Sequence, residues 1–199
     1  MAGEVDFWFD FASTYSFLSA MRIEDEAARR DVTVRWRPFL LGPIFAAQGW
    51  SDSPFNLYPA KGRYMWRDLE RRAERFGIAL CRPDPDGPAF PQASLLAARA
   101  ALVALDAGQG PAFCKAVFAA EFQQGQDIAD PAVIGRIGEA VGLGDVLTQA
   151  VSAPIKAGLR GNVEEAIATG LFGAPSFVVN TELFWGDDRL EDALDWAAG

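Results

Sequence analysis

Histidine is missing from this chain of 199 residues. Without imidazole, Ser-His-Asp hydrolysis, Cys-His proteolysis, His-ligated zinc and the commonest general base all drop out. Cysteine is nearly as scarce: Cys81 and Cys114 stand far apart and form no C-x-x-C pair, so dithiol redox chemistry has no motif to work through. A disulfide between them is not expected in a reducing compartment. Cys114, set among Phe113, Val117 and Phe118, reads as a small buried hydrophobe. Basic residues are in the minority, 18 Lys and Arg against 27 Asp and Glu, for a formal charge of −9. That balance argues against nucleic acid as a partner, because phosphate binding needs a surplus of cations on some face. No apolar run approaches the roughly 20 residues that span a bilayer. Strand pattern begins within a few residues of the start, so no secretory leader is expected and the reading is cytoplasmic.

What the chain does have is apolar mass: half of it is hydrophobic, with 15 Phe and 6 Trp, enough for one good core. The most informative stretch runs from Val5 to Leu18. Val5, Phe7, Phe9 and Phe11 alternate onto one face, with Asp6, Trp8 and Asp10 on the other, as a strand does. Ser13 and Thr14 follow, where a helix cap belongs. A hydroxyl there accepts from the orphan N–H groups of the first turn, and the helix dipole favours an anion, a thiolate included, beside it.

Tyr15 to about Arg30 reads as a helix, and Val32–Arg37 as a second strand ended by Pro38. Strand, short helical return and strand predict two parallel strands with a right-handed crossover. Residues 40–59, rich in Gly, Pro, Ser and Asp, read as a long loop, and loops of that length are more often functional than idle. A helix is expected from about Ala60 to Phe76, then an irregular crossing from Cys81 to Pro91, then helices within 92–107, 112–124, 130–142, 145–151 and 155–170. Pro175–Val179 and Glu182–Trp185, joined by Asn180-Thr181, predict an antiparallel hairpin. A last amphipathic helix follows Gly186-Asp187-Asp188. Removing the helical block from this order leaves a thioredoxin-like α/β arrangement, with residues 1–40 and 171–199 as the thioredoxin part and 41–170 as an inserted all-helical domain.

Three further places invite chemistry. Pro175 opens a strand, where its missing N–H is tolerated. In a thioredoxin fold that proline is normally cis and faces the start of the first helix, but a trans proline that merely begins the strand fits the residues as well. Asp188 is either a helix cap or an acceptor for a ligand's ammonium group. Lys61 opens the helix after the long loop, with Asn56 upstream; lone charges at helix starts are usually solvated.

Taken together, four segments carry a resemblance. Phe9-Asp10-Phe11-Ala12-Ser13-Thr14-Tyr15-Ser16-Phe17-Leu18, Pro59–Leu69, Phe172–Phe177 and Leu183–Leu190 are similar, in the same order, to the 2-hydroxychromene-2-carboxylate isomerases and the related kappa-class glutathione transferases. The resemblance implies a DsbA-like thioredoxin fold with a helical insertion, a homodimer, and glutathione as cofactor. It places the catalytic serine at Ser13, whose hydroxyl would donate to the glutathione thiolate. Ala174, beside Pro175, would pair with the cysteinyl part of glutathione. Asp188 and Arg189, with Asp187 near them, would hold the γ-glutamyl end, and Lys61 and Asn56 the other carboxylate or an acidic substrate. Many relatives carry Pro where this chain has Thr14, so a second hydroxyl stands beside Ser13.

The implied activity is a glutathione-dependent isomerisation of 2-hydroxychromene-2-carboxylate with trans-o-hydroxybenzylidenepyruvate, or of a related aromatic 2-oxo acid, without metal. A kappa-class-like transferase or peroxidase would use the same site but leave a conjugate or an oxidised thiol. A non-catalytic thioredoxin-fold module, holding a peptide along the Pro175 edge, is the reading from outside enzyme space. Disulfide exchange is excluded because neither cysteine lies near the strand–helix junction.

Overall fold

A computed structural model describes residues 3–84 and 86–199. The chain opens with β1 (Gly3–Phe9), α1 (Thr14–Ala20), α2 (Ile23–Ala28) and β2 (Val32–Pro38). The helical block follows: α3 (Leu41–Ala47), α4 (Pro54–Leu57), α5 (Pro59–Phe76), α6 (Leu95–Asp106), α7 (Gly110–Phe122), α8 (Pro131–Ala140), α9 (Val146–Ala150) and α10 (Ala153–Ala168). β3 (Ser176–Val179), β4 (Glu182–Trp185), a 3-10 turn over Asp187–Arg189 and α11 (Leu190–Ala198) complete it. This is the expected α/β thioredoxin-like order with its helical insertion.

The sheet runs β2-β1-β3-β4. β1 and β2 are parallel, with Asp6 opposite Arg35, and their side chains make the cross-strand ion pair that this register invites. β1 pairs antiparallel with β3, and β3 with β4. Asn180, the first residue of the tight turn between them, takes a left-handed φ of 56°, which asparagine tolerates better than most residues.

Two corrections to the sequence reading have physical causes. The helix expected over 15–30 is broken at Met21 and Arg22, which cap the end of α1 and the start of α2. The stretch 40–59 is not all loop, because α3 and α4 form there; α4 is capped by the Ser53 hydroxyl, which accepts from the Phe55 N–H at 3.3 Å. Its Pro54 at the first helical position is where a helix admits proline.

Both faces of β1 are covered. Val5, Phe7 and Phe9 join Phe11 and Phe17 in one apolar cluster with Phe113, Phe118 and Phe122 of α7, so sheet and helical block share a core. The Phe11 and Phe118 rings stand 4.8 Å apart. On the other face Trp8 is buried with Phe39, Ile44, Val163, Leu171 and Val178. Among the described residues no helix is long and apolar enough to cross a membrane.

Candidate functional site

β1 ends at Phe9 and α1 starts at Thr14, so four residues make the turn between them, and Ser13 is the cap. Its backbone is extended (φ −95°, ψ 116°) and its Oγ accepts from the Ser16 N–H at 3.2 Å. The Ser13 N–H donates to the Asp10 carbonyl at 3.0 Å, which closes the turn. The Ser13 hydroxyl in turn donates across 161 positions of sequence to the Ala174 carbonyl, at 3.0 Å. That carbonyl belongs to the Ala174-Pro175 peptide, which is cis, so Pro175 is not the trans strand-opener that the residues also allowed. The two stretches that the sequence singled out separately are therefore one place.

A cleft of about 790 Å³ opens there, within the size range of small-molecule sites. Its walls carry Ser13, Thr14 and Tyr15 on one side, Phe172, Ala174 and Trp185 on another, and Phe45, Trp50, Phe55 and Phe90 from the helical block. The cleft is apolar and aromatic with few polar groups, and Lys61 is the one basic side chain on its wall among the described residues. The Lys61 ammonium stands 4.7 Å from the Tyr58 ring centroid, a cation–π distance that keeps the charge fixed without neutralising it. Gly173 is required by this geometry, because a Cβ there would collide with the indole of Trp185, which packs tilted against Phe172 at 4.9 Å between centroids.

Other expected residues sit differently. Asn56 is off the wall, and its amide donates to Asp52, which does line the cleft, at 3.0 Å. Asp187 is 1% exposed. One of its oxygens accepts from the Ser19 hydroxyl at 2.9 Å, and the other takes the Arg72 guanidinium through both Nε and Nη2. Its carboxylate is thus occupied within the chain and anchors the turn that carries its neighbours. Asp188 and Arg189 are about half exposed, paired with each other at 3.0 Å, and Arg189 also holds Asp192 at 2.6 Å. None of these three lines the cleft.

Two wall residues carry polar chemistry that the sequence reading passed over. Tyr15 donates to Asp68 at 3.0 Å, and burial together with that carboxylate pushes its phenol well above the usual range, so it stays a neutral donor. Asp10 accepts from the Ala12 N–H at 3.0 Å and the Leu41 N–H at 2.7 Å. Burial raises its carboxyl from the usual value, against the pull of these donors and of Ser94. Asp10 thereby ties the Ser13 turn to the start of α3. Its place in the alternation from Val5 to Phe11 was the only sequence signal, and the partner at Leu41 lies outside any local pattern. Both cysteines are free, Cys114 buried with its thiol pushed up by burial and Cys81 exposed.

Comparison with known proteins agrees with this fold. The model of the DSBA-like thioredoxin domain matches residues 4–195. A 2-hydroxychromene-2-carboxylate isomerase of Sphingobium xenophagum is 32% identical over 197 residues, 96% of each chain. A glutathione S-transferase kappa 2 of Caenorhabditis elegans is 24% identical, over 98% of this chain and 91% of its own length. A solved 2-hydroxychromene-2-carboxylate isomerase superposes with a TM-score of 0.85 at 25% identity, covering 97% of this chain and 95% of the other. The chain belongs to the DSBA-like thioredoxin family and, within it, to the enzymes of the 2-hydroxychromene-2-carboxylate isomerase group.

Proposed function

We propose that the protein is a glutathione-dependent isomerase of 2-hydroxychromene-2-carboxylate or a related aromatic 2-oxo acid. The observation that carries this reading is the Ser13 hydroxyl, held at a helix cap 3.0 Å from the Ala174 carbonyl on the wall of an aromatic cleft with one cation. When bound, glutathione would supply a thiolate that adds to the conjugated side chain and leaves again after rotation, so geometry changes with no net oxidation. The residues fit such a guest. The Ser13 O–H turns from the Ala174 carbonyl to the sulfur, and with the helix N-terminus it holds the proton off a thiol whose ordinary pKa is about 8.5.

The backbone beside Pro175 pairs with the cysteinyl part, as an exposed strand edge does. Asp188 and Arg189 hold the γ-glutamyl end by exchanging their mutual pair for its ammonium and carboxylate, while Asp187 keeps their turn in place. Lys61, with Asn56 behind Asp52, meets the remaining carboxylate. Phe45, Trp50 and Phe90 receive the aromatic ring, excluding water and orienting it toward the sulfur. The named relatives support this reading, since one is a glutathione transferase and another the isomerase. A homodimer and a cytoplasmic site of action belong to the same proposal.

The test is turnover. Incubated with 2-hydroxychromene-2-carboxylate, the protein is expected to give the open-chain trans-2-oxo acid only when glutathione is present, and proton NMR is expected to show the glutathione returned unchanged. Accumulation of a glutathione conjugate instead would replace the isomerase with the transferase. Turnover at equal rate without glutathione would remove both.

A further inference from the structure

A second hollow of about 260 Å³ lies between α6 and α10, and it shares Leu40, Pro43 and Leu95 with the wall of the main cleft. Its charged lining is Arg99, Lys156 and Arg160, with no acid among the residues that face it. In a chain of 27 acids and 18 bases, a wholly basic hollow is the opposite of what composition favours. None of the three cations takes part in an ion pair among the described residues, although Glu165, also on α10, pairs with Arg37. Arg99 Nε is moreover buried without a hydrogen-bond partner, a costly state for a group that is always charged. Lys156 and Arg160 lie four residues apart on α10, a like-charge spacing that weakens a helix when nothing lies between the charges.

We infer that this hollow is an anion seat for the carboxylate of an organic acid with an apolar stem. The guanidinium fork of Arg99 suits a carboxylate, and Lys156 and Arg160 close over it from the next helix. Leu159 and Val163 on the same wall favour an acid carried on hydrocarbon over a fully hydrated inorganic ion. Leu40, Pro43 and Leu95 border both the hollow and the cleft, so the seat lies beside the cleft, and the inference extends to an elongated acid whose carboxylate sits here and whose ring lies among the cleft aromatics. It takes from the reading above only that the cleft holds that ring.

The test is calorimetric titration of the full chain with trans-cinnamate, for wild type, Arg99→Gln and the double variant Lys156→Gln/Arg160→Gln. The double variant changes only exposed side chains, so its fold is secure even where Arg99→Gln misfolds. Cinnamate is expected to bind wild type, more weakly as salt rises, with Kd at least tenfold higher in the double variant. Unchanged affinity in the double variant, or no binding to wild type, overturns the seat. Inorganic phosphate binding as tightly as cinnamate, with the same variant dependence, also overturns it in favour of a simple inorganic-anion site. Glutathione titrated into the same wild-type protein separates the two readings. Failure of glutathione alongside charge-dependent cinnamate binding removes the isomerase and leaves the seat. Glutathione binding alongside charge-independent cinnamate binding removes the seat alone.

Discussion

The two ends of α1 handle polar groups in opposite ways. At its C-terminal end Ser19, Asp187 and Arg72 form a closed buried set, with each carboxylate oxygen of Asp187 occupied. At its N-terminal end the Ser13 hydroxyl makes two hydrogen bonds and faces a large apolar cleft. Both serines are buried and both reach across the chain to the segment 174–187. What separates them is the room beside them. Where polar atoms satisfy one another in a packed interior, they fix architecture; where they border an apolar cavity, a guest can exchange with one of the bonds.

Removing either side of the closed set should therefore damage stability first, and removing the open one should damage catalysis first. The largest effect is expected for Asp187→Ala, which leaves the Arg72 guanidinium without its buried partner and should cost about 3 kcal/mol, read by urea denaturation. Ser13→Ala is expected to lower kcat on the order of 10²-fold, as loss of one donor to a developing anion does, while costing only about 1 kcal/mol of stability through the lost cap. A stable, inactive Ser13→Ala beside an unstable Asp187→Ala sharpens the contrast; the reverse pattern breaks it. Lys61→Gln should raise KM about tenfold with kcat nearly unchanged, the loss of one charge-assisted contact worth roughly 1.5 kcal/mol.

The smallest effect concerns Glu121, whose two carboxylate oxygens are buried without a partner in the helical block. Burial, with Asp10 and Asp127 adding repulsion, pushes its carboxyl well above its ordinary value of 4.5. The folded chain thus keeps a proton that the unfolded chain loses, so this contribution is fully present below about 4.5 and declines as pH rises toward the raised value. Glu121→Gln should match wild type in thermal melts at acid pH and exceed it increasingly at alkaline pH.

Much of the fold was legible because its signals are local. The alternation of Val5, Phe7 and Phe9, the hydroxyls at Ser13 and Thr14, and the Asn180-Thr181 turn each announce their element within a few residues. Trp8 shows where that stops. Period-2 alternation put it on the polar face, but Phe39, Ile44 and Leu171 bury that face from distant parts of the chain. The helix α3 was hidden because Gly42 and Pro43 lower helix propensity locally, and packing of Ile44 against Trp8's cluster outweighs it. At the site, Ser13 and Pro175 could be found from sequence, and the thioredoxin-like order already set them face to face, but the Ser13–Ala174 hydrogen bond that joins them could not be read there. Asp10's bond to Leu41 and Tyr15's to Asp68 are tertiary, and the resemblance that put Asp187 near the γ-glutamyl end carries no sign of the Arg72 that pairs with it.

The central claim is that Ser13 activates a bound thiol. It is tested most directly by ultraviolet difference absorption of glutathione titrated into wild type and Ser13→Ala at a pH below that of free thiol ionisation. A thiolate band in wild type that vanishes in a folded Ser13→Ala is the predicted result. A band of equal strength in both would contradict it, and would pass the role to Thr14, whose hydroxyl is next in the chain on the same wall.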